Sequence, residues 1–348
     1  MSSSPPLRIG IIGAGGIVRS RHLPGLRKIS GIKISAVANS TLASAEKFIA
    51  EESLSEARAY ADWREIIDLP DVDIIWIGTT PYMHCEITLA ALAAEKHVFC
   101  QARMACNGEE AEKMLVAARE NPDLVTMLCP PPMGLEKDFF FKKLLAEKKI
   151  GALRHLELFS LGNPPAKAAS KPHWRQLRKF SGNNVMALGI YVEVLQRWFG
   201  RFDSVFAEGH IFESEIGGVT VDIPDQLDVL GDLKTPTGKQ ICNLRFSNVH
   251  IGPPMQLLRL TGSNGTLEFN FSADQIALLS AEGEAGTFES PVEGERPWAV
   301  EADFIDAVRN PKNERPHPTF QDGVNYMRVV DAVAQSLQTG QRVEVNNK

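Results

Sequence analysis

The chain has 348 residues, a length for which about two domains of ~150 residues each are expected. Its 44% hydrophobic and 23% charged residues are typical of a globular protein and exclude a disordered, fibrous or coiled-coil chain. The net charge of −6 gives no electrostatic basis for binding nucleic acid, and the apolar runs fall far short of the roughly 18 residues that a membrane span requires.

The cysteines carry no metal-binding or disulfide pattern. There are five, without a CxxC pair, at Cys85, Cys100, Cys106, Cys129 and Cys242. Because no histidine or acidic cluster lies beside them at ligand spacing, no metal site is predicted. Buried free thiols in a reducing cytosol are favoured over a catalytic thiol, which would need a nearby base. Residues 1–6 form a polar lead without an apolar signal core, so we expect a cytoplasmic protein.

The first 129 residues alternate between strand and helix patterns. In chain order the periodicity predicts strand 7–12, helix 17–26, strand 32–38, helices 41–52 and 62–69, strand 72–77, helix 83–95, strand 97–100, helix 108–120 and strand 124–129. The near-continuous apolar run at 72–77 is typical of a strand buried on both faces of a parallel sheet. The alternation therefore predicts right-handed crossovers and a doubly wound parallel sheet, an α/β domain over residues 1–129.

Three consecutive prolines at 130–132 interrupt this pattern and predict a domain boundary, because they cannot continue a sheet interior. Beyond them the sequence predicts helix 136–147, strand 153–161, helix 185–198, strands 204–212, 226–233, 240–249 and 255–271, and helices 300–309 and 322–337. The 255–271 run divides into a hairpin at the Asn-Gly turn in 263–265. Residues 130–348 are therefore expected to form an α+β domain with an open, mainly antiparallel sheet.

The first predicted strand ends in a glycine cluster, GIIGAGGIV at 10–18. A strand that ends in Gly-x-Gly and opens into a helix lets backbone N–H groups approach a pyrophosphate. Dinucleotide binding is favoured over a merely tight turn, because a strand precedes the cluster, a helix follows and a second strand ends near residue 39. The predicted cofactor-binding residues here are Gly13, Gly15, Gly16 and Ile17. Val18 stands at the third motif position, where glycine or alanine is usual, and predicts a helix slightly farther from the strand.

The end of the second predicted strand carries three neutral hydrogen-bonding residues, Asn39, Ser40 and Thr41, which we expect to contact the adenosine ribose. A carboxylate at this place would repel the 2′-phosphate of NADP. Its absence slightly favours NADP over NAD, although no arginine adjoins to attract the phosphate.

Three segments together resemble the Gfo/Idh/MocA family, the NAD(P)-dependent oxidoreductases of sugars and polyols. They are residues 9–22, GTTPYMHCE at 78–86 and KHVFC at 96–100. The resemblance covers nearly the whole chain and implies a Rossmann domain followed by an α/β domain with an open sheet. It also implies that this sheet packs against another subunit, in a homodimer or homotetramer, and that Thr79, Thr80, His84 and Gln101 bind the cofactor.

The chain departs from the family where the lysine of a Glu-Lys-Pro motif reaches the reacting hydroxyl and the nicotinamide. The same stretch here reads Gln101, Ala102 and Arg103, and the methyl group of Ala102 can neither donate a hydrogen bond nor lower a hydroxyl pKa. Arg103 is predicted to supply a fixed positive charge to a developing alkoxide. The alternative is that it pairs with a cofactor phosphate or with a carboxylate at the domain interface.

A second departure lies on the helix that in the family carries Asp and, four residues later, His. Here these positions are Ala187 and Tyr191, which share one helix face. Glucose–fructose oxidoreductase, a member of the family, also places a tyrosine there. A phenol moves a proton if a nearby cation lowers its pKa, and Arg103 or the oxidised nicotinamide is the candidate cation. Tyr191 is therefore predicted as the catalytic acid/base, in preference to a packing role.

The segment KPHWRQ at 171–176 precedes that helix, and the family often has Trp-Arg in this region on a substrate-facing loop. An aromatic plane edged by polar groups suits a polyhydroxylated ligand, so Trp174 and Arg175 are predicted to bind substrate. His173 is a candidate replacement for the missing proton carrier. The alternative is an ordinary basic surface loop. Asn183 and Asn184 either bind substrate or accommodate the left-handed geometry of a turn.

The sequence thus predicts an oxidoreductase that moves hydride between a nicotinamide and a sugar, polyol or sugar-derived carbonyl or alcohol at a domain cleft. Tyr191 would move the proton, and Arg103 and His173 would position the substrate. Loss of the lysine and of the Asp/His pair leaves a second hypothesis open, a redox-neutral lyase, hydrolase or isomerase with tightly bound NAD(H). A third is a non-catalytic sensor of dinucleotide or sugar.

Overall fold

The computed structural model describes residues 5–131, 135–164, 171–236, 238–280, 285–289, 292–310 and 316–346. The chain divides into two compact units: Met1–Pro130 with Ala299–Val324, and Pro131–Trp298 with Asn325–Lys348. The first boundary falls in the proline run, of which residues 132–134 lie outside the described part of the chain. The chain returns to the first unit at Ala299, and the hydrophobic periodicity of the sequence does not predict this return.

The first unit contains a six-stranded parallel sheet in the order β3-β2-β1-β4-β5-β6. Its strands are β1 (Leu7–Ile12), β2 (Ile32–Ala38), β3 (Arg58–Tyr60), β4 (Ile74–Ile77), β5 (His97–Cys100) and β6 (Thr126–Leu128). This order confirms the predicted doubly wound sheet. The strand order reverses between β1 and β4, and in such sheets ligands bind beside the carboxyl ends of the strands at that point.

The helices lie close to their predicted places. They are α1 (Leu23–Leu26), α2 (Leu42–Glu51), α3 (Trp63–Ile67), α4 (His84–Ala93), α5 (Gly108–Glu120), α6 (Asp138–Ala146), α7 (Arg178–Ser181), α8 (Leu188–Phe199), α9 (Val300–Arg309) and α10 (Phe320–Thr339). The predicted helix at 17–26 begins as a π turn, Val18–His22, before α1. Pro24 lacks the N–H that a continuous α-helix would direct to the carbonyl of Ser20. Thr41 caps α2 by accepting a hydrogen bond from the Ser44 N–H.

Aromatic side chains hold α9 against the first sheet. Trp76 of β4 stacks on Phe99 of β5 with ring centroids 3.8 Å apart, and Phe304 of α9 meets them edge-on at 5.8 and 5.6 Å. All three side chains are fully buried. Because a buried aromatic side chain contributes roughly 1.5–3 kcal/mol, this cluster fixes the position of α9 and of the acidic residues at its start.

The second unit contains a nine-stranded sheet in the order β16-β15-β14-β13-β7-β12-β11-β8-β17, together with a separate two-stranded ribbon, β9 and β10. The strands are β7 (Leu153–Leu161), β8 (Arg201–His210), β9 (Glu215–Ile216), β10 (Val219–Thr220), β11 (Gln226–Thr235), β12 (Gly238–Ser247), β13 (Met255–Gly262), β14 (Gly265–Asn270), β15 (Gln275–Ser280), β16 (Ala285–Glu289) and β17 (Val343–Glu344). Of the described pairings in the large sheet, all but β7 with β12 are antiparallel. The predicted open, mainly antiparallel sheet and its hairpin are confirmed.

Buried residues alternate along the central strands of this sheet, so one face forms a core. In β11 the buried side chains are Leu227, Val229 and Leu233, with the polar residues between them on the other face. Among the described helices of the whole chain, none is both long and apolar enough to cross a membrane.

Candidate functional site

The glycine corner, defined as residues 13–18, connects β1 to the π turn. Gly13 has φ +86°, and its N–H donates to the Ala38 carbonyl at 2.8 Å. A Cβ at this position would lie 2.6 Å from the backbone nitrogen of Thr79 and 2.8 Å from the carbonyl carbon of Gly78. Only glycine therefore fits, because both the left-handed backbone and the neighbouring chain exclude a side chain.

The next two glycines of the corner face open space. A Cβ at Gly15 or Gly16 would meet no atom within 4 Å, and both residues are exposed, as is Ile17. The packing of the chain itself does not require glycine at these two positions. Without side chains there, a ligand can approach the protein backbone closely. Val18 is buried, and its Cγ2 would lie 2.6 Å from a Cβ at Gly78. Gly78, in the loop after β4, thus makes the room for Val18 that a third glycine of the motif would otherwise provide.

Asn39 joins the glycine corner to the start of α2. Its Oδ1 accepts a hydrogen bond from the Ala14 N–H at 2.8 Å, and its Nδ2 donates to the Ser44 carbonyl at 3.3 Å. Ser40 and Thr41 follow on the surface, with the Thr41 hydroxyl capping α2. The end of β2 therefore offers neutral hydrogen-bonding groups beside the corner.

His84 joins the loop after β4 to the loop after β5. Its Nδ1 lies 2.9 Å from the Arg103 carbonyl and 3.2 Å from that of Met104, while its Nε2 lies 3.0 Å from the Thr79 carbonyl. Burial lowers the pKa of His84, and the three carbonyls oppose that shift. The ring is thus engaged by the protein, next to the half-buried Thr79 and Thr80. Its predicted cofactor contact stays a prediction.

The segment at 101–103 is held from inside the first unit. Gln101 Oε1 accepts a hydrogen bond from the Ala102 N–H at 3.2 Å, and Gln101 Nε2 contacts His22 Nε2. His22 Nδ1 in turn lies 2.6 Å from Glu301 Oε1. The Ala102–Arg103 peptide bond is cis, and the Arg103 side chain is buried. His22 and Glu301 are not among the residues predicted from the sequence, where each shows only as a polar residue on a helix with apolar neighbours.

Tyr191 lies in the second unit, on the first turn of α8. Its N–H donates to the Ala187 carbonyl at 3.2 Å, so Ala187 and Tyr191 share one face of the helix. The phenol ring is buried, with ring centroids 5.5 Å from Phe271 and 6.0 Å from Phe246. Burial raises the pKa of Tyr191, and a hydrogen bond with Ser160 opposes the shift. The phenol is therefore protonated at neutral pH.

His173, Trp174 and Arg175 form a 3₁₀ turn, Trp174–Gln176, and its cap. The imidazole Nδ1 of His173 accepts the Arg175 N–H at 3.2 Å, and Gln176 Oε1 accepts the His173 N–H at 2.9 Å. The Arg175 guanidinium lies 4.2 Å from the centroid of the Trp174 ring. One face of the indole is thus covered by this cation, and the His173 ring lies 5.4 Å from the indole between centroids. The predicted stacking of a ligand on Trp174 stays a prediction.

Asn183 and Asn184 lie in the turn between α7 and α8, where Gly182 has φ +61°. Asn183 Nδ2 donates to Asp331 Oδ1 at 2.8 Å, and Asn184 Nδ2 donates to the Ser181 carbonyl at 2.6 Å. These contacts are those of residues that stabilise a turn, and the predicted substrate role of the two amides stays a prediction.

The structure thus brings the predicted cofactor residues together at the carboxyl edge of the first sheet, and the predicted substrate residues into one segment before α8. In the described ranges, no group of three histidine, cysteine, aspartate or glutamate residues is placed to hold a metal ion. The five cysteines are free and buried.

Two family models match the chain. Residues 7–128 match the model described as an oxidoreductase family with an NAD-binding Rossmann fold, and residues 140–268 match the Gfo/Idh/MocA C-terminal domain. The chain is 24% identical to levoglucosan dehydrogenase of Pseudarthrobacter phenanthrenivorans, over 90% of this chain and 89% of that one. Over 32% of the chain and 33% of the relative, it is 35% identical to 1,5-anhydro-D-fructose reductase of Ensifer adhaerens.

Among solved structures, levoglucosan dehydrogenase in complex with NADH superposes with a TM-score of 0.83 at 22% identity, covering 99% of this chain and 100% of that chain. This likeness shows the shared fold. The two family matches cover most of the chain and agree with the two observed sheets and with the glycine corner at the end of β1. The chain therefore belongs to the Gfo/Idh/MocA family of oxidoreductases, whose N-terminal domain is an NAD-binding Rossmann fold.

Proposed function

We propose that the protein is an NAD(P)-dependent oxidoreductase that transfers hydride between the nicotinamide and a carbon of a sugar, polyol or sugar-derived carbonyl or alcohol. The observation that carries this proposal is the glycine corner, where Gly15 and Gly16 leave open space that the chain's own packing does not use. The names of two relatives, a levoglucosan dehydrogenase and a 1,5-anhydro-D-fructose reductase, support a sugar-related substrate.

The residues present fit a dinucleotide. Backbone N–H groups at the glycine corner would hold the diphosphate at the start of a helix, and Asn39 and Ser40 would contact the adenosine ribose. When bound, the cofactor supplies or accepts the hydride. Since Asn39 and its neighbours carry no negative charge, we expect the protein to accept both NADPH and NADH, with NADPH slightly preferred.

Tyr191 is the proposed proton donor to the substrate oxygen. A tyrosine phenol is protonated at neutral pH, and burial, which raises the pKa of Tyr191, favours that form, so the hydroxyl can donate a proton to a carbonyl oxygen. Arg103 and His173 are proposed to place positive charge and a hydrogen-bonding ring at the substrate. In the reducing direction the substrate's carbonyl oxygen would accept the proton of the Tyr191 hydroxyl, and the phenolate left behind would regain a proton from solvent before the next turnover.

The test combines titration with turnover. Nicotinamide fluorescence on titration with NADH and NADPH measures cofactor binding, and loss of absorbance with a panel of sugars and keto-sugars measures reduction. Tyr191→Phe should lose turnover by about 10²-fold or more while keeping the cofactor Kd within about twofold. Full turnover by Tyr191→Phe would exclude the phenol as proton donor, and binding without redox change across the panel would overturn the proposed reaction.

The same assay distinguishes net hydride transfer from the redox-neutral alternative. Ala102 and Ala187 stand where the family's lysine and aspartate would be, so chemistry other than net hydride transfer has a specific basis in this chain. A product that forms without consumption of added cofactor, by protein that carries tightly bound dinucleotide, would support a lyase, hydrolase or isomerase instead.

We also propose that the chain forms a homodimer or homotetramer through the outer face of the nine-stranded sheet. Leu230, Ile241 and Leu279 are 39%, 54% and 54% exposed on this face and would be covered by a second subunit. Light scattering should give a multiple of the chain mass, and Ile241→Glu should reduce it. A monomer at micromolar concentration would overturn this proposal.

The five free thiols support the expected cytoplasmic location.

A further inference from the structure

Three buried polar side chains in the first unit form a continuous hydrogen-bonded chain, which we call the buried relay: Glu301, His22 and Gln101, ending at the Ala102 N–H. Glu301, His22 and Gln101 are 2%, 0% and 6% exposed. Glu301 Oε1 lies 2.6 Å from His22 Nδ1, His22 Nε2 contacts Gln101 Nε2, and Gln101 Oε1 accepts the Ala102 N–H at 3.2 Å. The relay thus connects the start of α9 to the backbone that follows β5.

The direction of each hydrogen bond in the relay is assigned from its last member, the Ala102 N–H, which is a donor. In the structure the Ala102 N–H donates to Gln101 Oε1, and the Gln101 amide nitrogen therefore faces His22, with Cys129 as a further neighbour of both groups. That nitrogen is also a donor, and His22 Nε2 must therefore carry its lone pair rather than a proton. The imidazole proton is then on Nδ1, which donates to the Glu301 carboxylate.

The other neighbours of the ring agree with this assignment. Trp76 and Phe99 meet His22 edge-on, each at 5.2 Å between centroids, and carry no charge. Cys129 Sγ lies 3.9 Å from His22 Nε2, and burial raises the pKa of that thiol. Cys129 is therefore a neutral S–H group rather than an activated nucleophile, although a Cys–His–Glu arrangement resembles a catalytic triad. Glu301 is a charged group in contact with the ring, and Arg21 acts electrostatically on the neighbouring Cys129 thiol.

We propose that the buried relay positions segment 101–104 for the cofactor and the reaction, an inference that rests on the proposed function. The segment follows β5 at the carboxyl edge of the sheet, beside the β1/β4 switch point. The Gln101 N–H donates to the Ile77 carbonyl at 3.1 Å, and His84 holds the carbonyls of Arg103 and Met104. The relay adds the side-chain restraint that fixes the turn between these points. Glu301 and His22 are positioning residues, since they act through Gln101 and the backbone at Ala102, whereas the predicted contact of Gln101 itself with the cofactor stays a prediction.

The test uses matched variants at the two ends of β5. Gln101→Met removes the acceptor of the Ala102 N–H and the contact with His22. Lys96→Met removes the ammonium group that donates to the Leu69 and Val72 carbonyls, at 2.9 and 2.7 Å. Both side chains are 6% exposed, both replacements are nearly isosteric, and both should lower stability. Only Gln101→Met should raise the NADH Kd or lower turnover, by about tenfold or more, because small misplacements at a reacting site are amplified. Equal effects of the two variants would reduce the relay to a purely structural role.

Nitrogen NMR of the imidazoles supplies a second readout, with His22 assigned by loss of its signals in His22→Gln. The wild type should show a protonated Nδ1 and an unprotonated Nε2, and Gln101→Glu should convert His22 to the doubly protonated form, because two carboxylates would then face the ring. A protonated Nε2 in the wild type would overturn the relay. If the wild type bound no NADH, the proposed function and the positioning role would both fail, whereas the nitrogen spectra would still decide whether the relay exists.

Discussion

Gly15→Ala should separate cofactor binding from folding. A Cβ at Gly15 meets no protein atom within 4 Å, and the residue is not among those with positive φ. The replacement should therefore leave the free energy of unfolding unchanged or raise it by about 0.4–1 kcal/mol, since alanine restricts the unfolded chain more than glycine does. If a diphosphate lies against this glycine, the added methyl group has no room in the complex.

The expected loss of binding follows from that steric conflict. Overpacking by one methyl group costs about 1–3 kcal/mol, which corresponds to a rise of roughly five- to 150-fold in the NADH Kd. Nicotinamide fluorescence measures the Kd, and denaturant unfolding followed by tryptophan fluorescence measures stability. Gly286→Ala is the matched control, because its Cβ also meets no atom within 4 Å and it lies in β16 of the second unit. An NADH Kd within twofold of wild type for Gly15→Ala would refute cofactor docking at this glycine.

Three further predictions concern the first unit. Gly13→Ala should lower the free energy of unfolding by about 2–5 kcal/mol, from left-handed strain and the 2.6 Å approach to Thr79, and an unchanged denaturation midpoint would contradict this. Asn39→Asp keeps the acceptor for the Ala14 N–H but should raise the NADPH Kd about tenfold relative to that of NADH, and equal changes for both cofactors would exclude the charge effect. Burial lowers the pKa of His84 from 6.5, so the unfolded chain takes up the proton first and the free energy of unfolding should fall as the pH drops below about 6.5, by at most about 1.4 kcal/mol per pH unit. His84→Asn should flatten that slope. Parallel stability profiles for the two proteins would contradict a role of His84 in it.

The parallel sheet could be predicted because each of its longer strands carries its own signal. β4 is four consecutive apolar residues that are all buried, and β1 ends at a glycine that the turn requires. β3, with only three residues, is too short to show a period, and β15 has an exposed Leu279 that breaks the alternation. Such strands are fixed by pairing with a neighbour, which a local pattern does not contain.

The candidate site was predictable to the extent that it is local in sequence. The glycine corner is one continuous motif, and the residues near Asn39 follow it by one crossover. The buried relay was missed because His22 and Glu301 are 279 positions apart and meet only when α9 packs on the first sheet. Asn183 remained ambiguous for a different reason, since an amide suits a turn and a ligand equally well and only its contact with Asp331 shows which partner it has in the fold.

Binding of a dinucleotide at the end of β1 can be seen directly in a crystal structure of the protein grown with NADH or NADPH. Density for the diphosphate is expected against the backbone of Gly15 and Gly16, with the adenosine ribose beside Asn39. A crystal that contains the cofactor elsewhere, or a protein that binds neither cofactor at millimolar concentration, would contradict it.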